Sequence, residues 1–297
     1  MTTGPEKFDP LVEHYLSASR AENTRRAYES DLRAFRNFGG TVPADAVSVA
    51  RFVAHRACTL RPSTLRRHLA AIASAHRDLG CADPTKAPIV ARVMHGIERS
   101  HGNRPCQVTP LLLGDVAAIV SILGGVRSDR RDKAILLVGF FGALRRSEIV
   151  CLDRGSLCFD GNSVTLSLKR SKTDQLRLGR TISLNRRDDP LCPVRALAEH
   201  LANDSRTDGP LFSVSKSVGR MSERTIARII KRLVAQIDYD PAKFSGHSLR
   251  AGFVTSAALS GFDLAMISRQ TGHRTMQALS AYVRTAEGPT LPFQLSR

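Results

Sequence analysis

Hydrophobic side chains recur at helical spacing through the first third of the chain. One stretch, ENTRRAYESDLRAFRNF, carries an apolar stripe at positions i, i+4 and i+7 behind Thr24, its predicted N-terminal cap. A second amphipathic stretch begins at Pro62, a favoured first residue of a helix, and stops at Gly80, a favoured helix end. The core-facing positions of these two stretches are Tyr28, Leu32, Phe35, Leu65, Leu69 and Ile72. The pattern predicts only helices in residues 1–105.

A polar segment interrupts this helical periodicity. The stretch RSHGNRPCQVTP contains a glycine and two prolines, which are typical of linkers. We therefore predict two domains, covering residues 1–105 and 106–297.

The second domain mixes helical and strand patterns. The stretch RRDKAILLVGFFGALRRSEIVCL predicts an apolar helix that turns polar near residue 145. Alternating apolar and polar residues in NSVTLSLKRSKTDQLRLGRTISL flank a polar centre at residues 170–175 and predict a β-hairpin. Helices are expected again at Pro193, at Ser222 and in the stretch 244–261. The chain is thus predicted to be mainly α, with a small antiparallel sheet in the second domain.

The charge balance indicates a polyanionic partner. Lys and Arg number 44 against 27 Asp and Glu, which gives a formal net charge of +17. Residues 51–105 hold 10 basic and 3 acidic side chains, so this region is predicted to contact a nucleic acid backbone, with a merely solvated helix surface as the alternative. The individual side chains expected to contact DNA are Arg25, Arg66, Arg67, His68, Arg224 and Arg228.

Other compositional features exclude several classes of protein. The six cysteines form no C-x-x-C pair, so neither a zinc site nor a disulfide framework is expected. The N-terminal MTTGPEKFDP lacks the pattern of a signal peptide, and the longest apolar run, 134–144, is too short to cross a membrane. We expect a soluble protein of the bacterial cytoplasm or nucleoid.

The stretch FSGHSLRAGFVTSAALSG places two cationic side chains near the start of a predicted helix. His247 and Arg250 are three residues apart and should be neighbours on the helix surface, with Ser245 as the predicted N-cap. Together with the positive end of the helix dipole, this pattern predicts an anion site. A surface histidine and a solvated arginine are the alternative.

Several short motifs follow one another in the second domain. They are GALRRSEIVCLD with Arg145 and Glu148, the hairpin with Lys172, the His247-x-x-Arg250 motif, and TGHRTMQALSAYVR with His273 and Tyr282. In this order they resemble the signature of the tyrosine recombinase family, which includes phage integrases, Xer proteins and Cre. The helical stretches of the first domain resemble the core-binding domain of Cre-type members.

The resemblance implies a role for each motif residue. Arg145 and Arg250 would clamp the scissile phosphate, and a guanidinium suits this role because its planar fork binds two phosphate oxygens. Lys172 would give a proton to the leaving 5′ oxygen, with Lys169 as the competing candidate. His247 and His273 would assist at the phosphate, and Tyr282 would be the nucleophile. Glu148 would support the basic groups, with a surface ion pair as the alternative.

The resemblance also implies a fold and an activity. An all-helical core-binding domain and a mixed α+β catalytic domain would close around double-stranded DNA as a clamp. A homotetramer on two DNA sites, a monomer or weak oligomer when free, would exchange strands through a 3′-phosphotyrosyl intermediate and a four-way junction, without a metal or cofactor. An accessory DNA-bending protein is a further expectation. The alternatives are a type IB topoisomerase and a DNA-binding regulator without catalysis.

Overall fold

The computed structural model describes residues 9–102, 108–168, 179–214 and 219–272. The chain divides into two compact units between residues 106 and 107. The helices of the first unit are α1 (Pro10–Ala18), α2 (Glu22–Asn37), α3 (Ala46–Arg56), α4 (Pro62–Asp78) and α5 (Pro88–His101). This unit is helical throughout its described part, as the periodicity predicted.

The core of the first unit forms around aromatic and aliphatic side chains of α2, α3 and α4. Phe35 and Phe52 are fully buried and meet edge to face, with ring centroids 5.1 Å apart. Leu65 and Ile72 are also fully buried, which confirms the predicted core face of α4. Burial of these large apolar side chains stabilises the unit because it removes them from water.

One predicted helix start in this unit is wrong. Helix α2 begins at Glu22, with Ala21 rather than Thr24 at the N-cap. Glu22 lies in the first turn, where a negative charge is favoured by the helix dipole, and it pairs with Arg25 and Arg26 one turn later. These contacts extend the helix beyond the predicted cap.

The second unit is mixed, as predicted, and its sheet is antiparallel in the order β1-β2-β3. The strands are β1 (Leu157–Phe159), β2 (Ser163–Leu168) and β3 (Arg180–Asn185). The pairing of β2 with β3 confirms the predicted hairpin. Strand β1, which pairs with β2, was not predicted, because its three residues are too few to show an alternating pattern.

The helices of the second unit include α7, which is buried from Ala134 to Phe140. They are α6 (Leu113–Ile122), α7 (Arg127–Phe141), α8 (Arg146–Cys151), α9 (Pro193–Ala202), α10 (Glu223–Ala235), α11 (His247–Leu259) and α12 (Leu264–Thr271). The predicted starts at Pro193 and Ser222 are confirmed, and the Ser222 side chain accepts a hydrogen bond from the Thr225 N–H. Within the described ranges, no helix has the length and apolar character needed to cross a bilayer.

The predicted continuous helix across residues 130–152 is wrong. Helix α7 ends at Phe141, and α8 begins only at Arg146. Ala143 has a φ of +46°, in the left-handed region that ends a right-handed helix, and Arg145 is extended. We call residues 141–144 the α7–α8 turn. This break places Arg145 at the N-cap of a new helix, instead of inside a long one.

Candidate active site

Arg145 and Glu148 are joined at the start of α8. The Arg145 N–H donates to Glu148 Oε2 at 2.8 Å, and Arg145 Nη1 donates to Glu148 Oε1 at 2.7 Å. The carboxylate therefore caps the first turn of α8 and holds the guanidinium with its other oxygen. Glu148 is only 1% exposed, which excludes the surface ion pair that the i, i+3 spacing left open.

A second arginine, Arg180 at the start of β3, reaches the same carboxylate. Its Nη2 lies 3.5 Å from Glu148 Oε2, and its Nη1 donates to the Gln270 carbonyl at 3.1 Å. Burial lowers the pKa of the Arg180 guanidinium from its usual value, the Glu148 charge opposes this shift, and Arg145 adds to it. Sequence analysis did not identify Arg180, because it lies in an ordinary strand pattern outside the motifs.

Helix α11 carries the His247-x-x-Arg250 motif. The helix begins at His247 itself, so the N-cap is Gly246 and not the predicted Ser245. Ser245 still contributes, because its Oγ accepts the His247 N–H at 3.1 Å. His247 is exposed, whereas Arg250 is buried, so the two cations do not form a single exposed face. The alternative of a solvated arginine is excluded for Arg250.

The α7–α8 turn brings the two predicted clamp arginines into one neighbourhood. Arg250 Nη1 donates to the Ala143 carbonyl at 2.8 Å, two residues before Arg145 in the chain. From α12, Gln270 Nε2 donates to the Phe141 carbonyl at 2.8 Å. Hydrogen bonds from α11 and α12 therefore hold this turn at Ala143 and Phe141.

Two glycines allow the elements of the site to approach closely. A Cβ added at Gly252 would lie 1.7 Å from the Leu111 carbonyl oxygen, so α11 can pack here only with glycine. A Cβ at Gly246 would lie 2.0 Å from Cγ of Arg146, whose side chain crosses the start of α11. The Arg146 side chain therefore contacts the start of α11, whereas the Arg145 side chain pairs with Glu148.

The remaining predicted catalytic residues are Lys172 with its competitor Lys169, His273 and Tyr282. They lie outside the described residues. Their roles stay predictions. Gly272, which immediately precedes His273, ends α12 in the left-handed conformation with a φ of +64°.

The predicted DNA contacts differ in accessibility. His68 is 4% exposed and packs edge to face on Phe52, so its assignment as a DNA contact is wrong. Burial lowers the pKa of His68, and the nearby Asp31 carboxylate opposes that shift. The other five side chains are exposed and stay predictions; these are Arg25, Arg66, Arg67, Arg224 and Arg228.

Three of these exposed arginines also have acidic partners. Arg67 forms two hydrogen bonds with Asp31, at 2.7 and 2.9 Å, and Arg66 pairs with Glu98 at 2.6 Å. Arg25 pairs with Glu22 in the preceding turn. Any DNA contact by these three side chains would compete with an existing ion pair.

The described part of the second unit brings Arg145 and Arg180 to Glu148, and Arg250 to the α7–α8 turn. Comparison with known families assigns both units. Residues 113–288 match the phage integrase family, and residues 12–79 match the N-terminal SAM-like domain of phage integrases. The chain belongs to the phage integrase family, the tyrosine recombinases, which cleave and rejoin DNA.

Individual relatives agree with this assignment. The chain is 30% identical over 293 residues to the integrase/recombinase xerD homolog of Selenomonas ruminantium, covering 94% of this chain and 86% of that protein. It is 28% identical over 162 residues to tyrosine recombinase XerC of Pelotomaculum thermopropionicum, covering 51% of this chain and 49% of that protein. The chain is thus an Xer-like tyrosine recombinase.

Solved structures share the fold at low sequence identity. XerH recombinase bound to a palindromic difH substrate superimposes with a TM-score of 0.66 and 18% identity, covering 88% of this chain and 76% of that one. A lambda integrase dimer bound to a COC′ core site gives a TM-score of 0.65 and 14% identity, covering 98% and 85%. These likenesses confirm the predicted fold class.

Proposed function

We propose that this chain exchanges DNA strands at specific sites, with Tyr282 as the nucleophile. The observation that carries the proposal is the α7–α8 turn, where Arg250 is hydrogen-bonded close to the Arg145–Glu148 pair. Attack of the phenol oxygen on phosphorus forms a 3′-phosphotyrosyl bond and releases a 5′ hydroxyl. The reverse attack, by a 5′ hydroxyl from the partner duplex, restores a phosphodiester and frees the tyrosine. The energy of the broken bond is conserved, so rejoining needs no ATP.

Arg145 and Arg250 are the proposed phosphate clamp. A pentacoordinate phosphorus carries more negative charge on its oxygens than the ground state, so fixed cations stabilise it preferentially. Only 15% of the Arg145 side chain is exposed, and Arg250 is buried. A charge held in a poorly solvated place acts more strongly than one in water, and it does not need to reorganise during the reaction.

Glu148 is the proposed support of this clamp. Its carboxylate is fully buried and accepts from both the backbone and the side chain of Arg145. The contact fixes the direction of the guanidinium before DNA binds. Because both oxygens accept hydrogen bonds from cationic or backbone donors, we assign Glu148 to positioning and not to proton transfer.

Tyr282 is preferred as nucleophile to Tyr239, the other tyrosine of the second domain. The Tyr239 hydroxyl donates to Asp115 Oδ1 at 2.8 Å, and this hydrogen bond to a carboxylate raises the pKa of the phenol. A nucleophilic tyrosine needs the opposite environment, with cations that favour the phenolate. Tyr239 also stacks on Phe244, which holds its ring in place.

The remaining proposed roles concern proton transfer. Lys172 donates a proton to the leaving 5′ oxygen, with Lys169 as the competitor, because an alkoxide leaves poorly. His247, exposed at the first position of α11, hydrogen-bonds the phosphate or accepts the tyrosine proton. His273 occupies the second histidine position. The cations replace a metal ion in this scheme, so we propose that cleavage requires none.

The proposed partner is double-stranded DNA carrying a recombination site. The five exposed arginines named above as predicted DNA contacts bind its backbone in this proposal, and the net charge of +17 favours binding. A homotetramer on two sites performs the exchange in the bacterial cytoplasm, and an accessory DNA-bending protein assists it. We propose a domain boundary between residues 105 and 106. The division of the chain into two compact units between residues 106 and 107 supports it.

The proposal is tested with a suicide substrate, a duplex nicked beside the cleavage site so that the covalent complex accumulates. Wild-type protein should give a DNA-linked band in a denaturing gel in excess EDTA, and Tyr282→Phe should give none while binding the site equally well. Activity that returns only with Mg²⁺ would contradict the mechanism. Relaxation of supercoils by a monomer at no defined site would indicate a topoisomerase, and binding without any covalent product would indicate a regulator.

A further inference from the structure

Arg180, at the first residue of β3, is a partly buried cation to which the proposal above gives no role. One guanidinium contacts two elements, because Nη2 lies 3.5 Å from Glu148 in α8 and Nη1 donates to the Gln270 carbonyl in α12. Only 20% of its side chain is exposed. Removing an arginine from water costs free energy unless its charge is paired. Glu148 supplies the opposite charge, and the Gln270 carbonyl accepts a hydrogen bond.

The end of α12 is shaped around this guanidinium. A Cβ at Gly272 would lie 2.5 Å from Arg180 Nη1, so the arginine head lies against the backbone of this residue. The next residue in the sequence is His273. Arg180 therefore contacts the end of α12, at the residue that precedes His273 in the sequence.

Glu148 connects the same arginine to the clamp. Its carboxylate pairs with Arg145 through Oε1 at 2.7 Å and meets Arg180 through Oε2. Arg145, Glu148 and Arg180 thus form a row in which one anion lies between two cations. Removal of the Arg180 guanidinium should change both the charge around Glu148 and the contacts that orient Arg145.

We propose that Arg180 is a positioning residue for DNA cleavage. Through Glu148 it orients Arg145, and through Gln270 and Gly272 it fixes the end of α12, which His273 follows in the sequence. The inference rests on the proposed function, in which Arg145 and His273 act on the scissile phosphate.

The test compares Arg180→Gln, Arg180→Lys and the control Arg186→Gln, which changes an exposed arginine just beyond the other end of β3. Single-turnover cleavage of the suicide substrate, site affinity and thermal unfolding are measured for each. We expect Arg180→Gln to cleave about 30 to 100-fold more slowly, with site affinity within about twofold, because the lost contacts orient transition-state groups. Arg186→Gln should behave as wild type.

Arg180→Lys separates positioning from simple stability. An ammonium can remain paired with Glu148, but it lacks the fork that also reaches Gln270, so the cleavage rate should recover in part. The double variant Arg180→Gln with Glu148→Gln provides a second readout. Its loss of cleavage should be much smaller than the product of the two single losses, because both variants disturb one row of charges.

Two results would overturn the inference while leaving the proposed function standing. One is wild-type cleavage by folded Arg180→Gln, and the other is a Lys variant as slow as the Gln variant, with multiplicative losses in the double variant. If Arg180→Gln does not fold, Arg180→Lys and its combination with Glu148→Gln still decide between these outcomes. If wild-type protein and Arg186→Gln give no Tyr282-dependent covalent product, the proposed function fails first and the inference falls with it.

Discussion

Arg250 shows how the side chains of the site are held by the protein itself. Its guanidinium is buried and donates to the Ala143 carbonyl, which fixes one edge of the planar group. Such a group is oriented before the reaction begins, so little free energy is spent on ordering it in the transition state.

We expect Arg250→Lys to separate binding from chemistry. Lysine keeps the charge but loses the planar fork, so site affinity should change little while the cleavage rate falls roughly a hundredfold, on the order of 3 kcal/mol. His247→Gln should be milder, because the amide still donates one hydrogen bond. Single-turnover cleavage by both variants and by their combination measures this, with Arg186→Lys as control. Near-wild-type cleavage by Arg250→Lys would show that the Arg250 guanidinium does not clamp the phosphate.

Sequence analysis did not predict the surroundings of the described site residues. The spacing of Arg145 and Glu148 predicted that they meet, but not that Glu148 is buried. His68 was wrongly assigned as a DNA contact, although its spacing from the core residues of α4 indicated burial. It lies three residues after Leu65 and four before Ile72, on the face that packs into the core. Arg180 could not be found, because its partners come from α8 and α12, far away in the sequence.

At the scale of elements, close helix packing positions the site. Helix α11 approaches the segment before α6 so closely that the Ser248 carbonyl accepts the Leu111 N–H at 3.0 Å. Gly139 of α7 likewise faces Leu249 of α11, where a Cβ would lie 2.7 Å from Cδ1. Gly252, two residues after Arg250, is therefore needed for the close packing of α11 against residue 111.

Gly252→Ala should be strongly destabilising. The added methyl would overlap the Leu111 carbonyl oxygen, and backbone cannot move aside as cheaply as a flexible side chain, so we expect a loss of at least about 3 kcal/mol. Gly114→Ala is the matched control in α6, where a Cβ meets nothing within 4 Å. That variant should be neutral or more stable by up to about 1 kcal/mol. Thermal unfolding compares the two, and equal stabilities would contradict the packing account.

The elements themselves were predictable to different degrees. Strong periodicity and favourable start residues identified α4, α9 and α10, whereas the break between α7 and α8 was missed. The apolar pattern continues across Gly142 to Leu144, because the turn residues are as buried as the helix before them. Burial of a turn hides it from a method that looks for polar interruptions.

At the scale of the whole molecule, positive charge should dominate DNA binding. The chain carries 44 basic side chains, and each phosphate they contact releases a condensed counterion. The logarithm of the affinity should therefore fall with the logarithm of salt concentration with a slope steeper than about −5, at roughly −0.9 per contacted phosphate.

A single exposed arginine offers a sharper form of this prediction. Arg224→Gln should weaken binding at all sequences and reduce the magnitude of the slope by about 1. His68→Gln, which changes a buried side chain, should leave the slope unchanged. Fluorescence anisotropy over a salt series measures all three proteins. A wild-type slope shallower than about −2 would mean that binding does not depend on phosphate contacts.

The central claim is that Tyr282 forms the covalent bond to DNA. Mass spectrometry of the protease-digested complex, trapped on a suicide substrate in excess EDTA, tests it most directly. The account predicts one modified peptide, in which Tyr282 carries the 3′-phosphonucleotide. A phosphotyrosyl peptide containing Tyr239 would contradict the assignment, because that phenol is hydrogen-bonded to Asp115 and should be the weaker nucleophile.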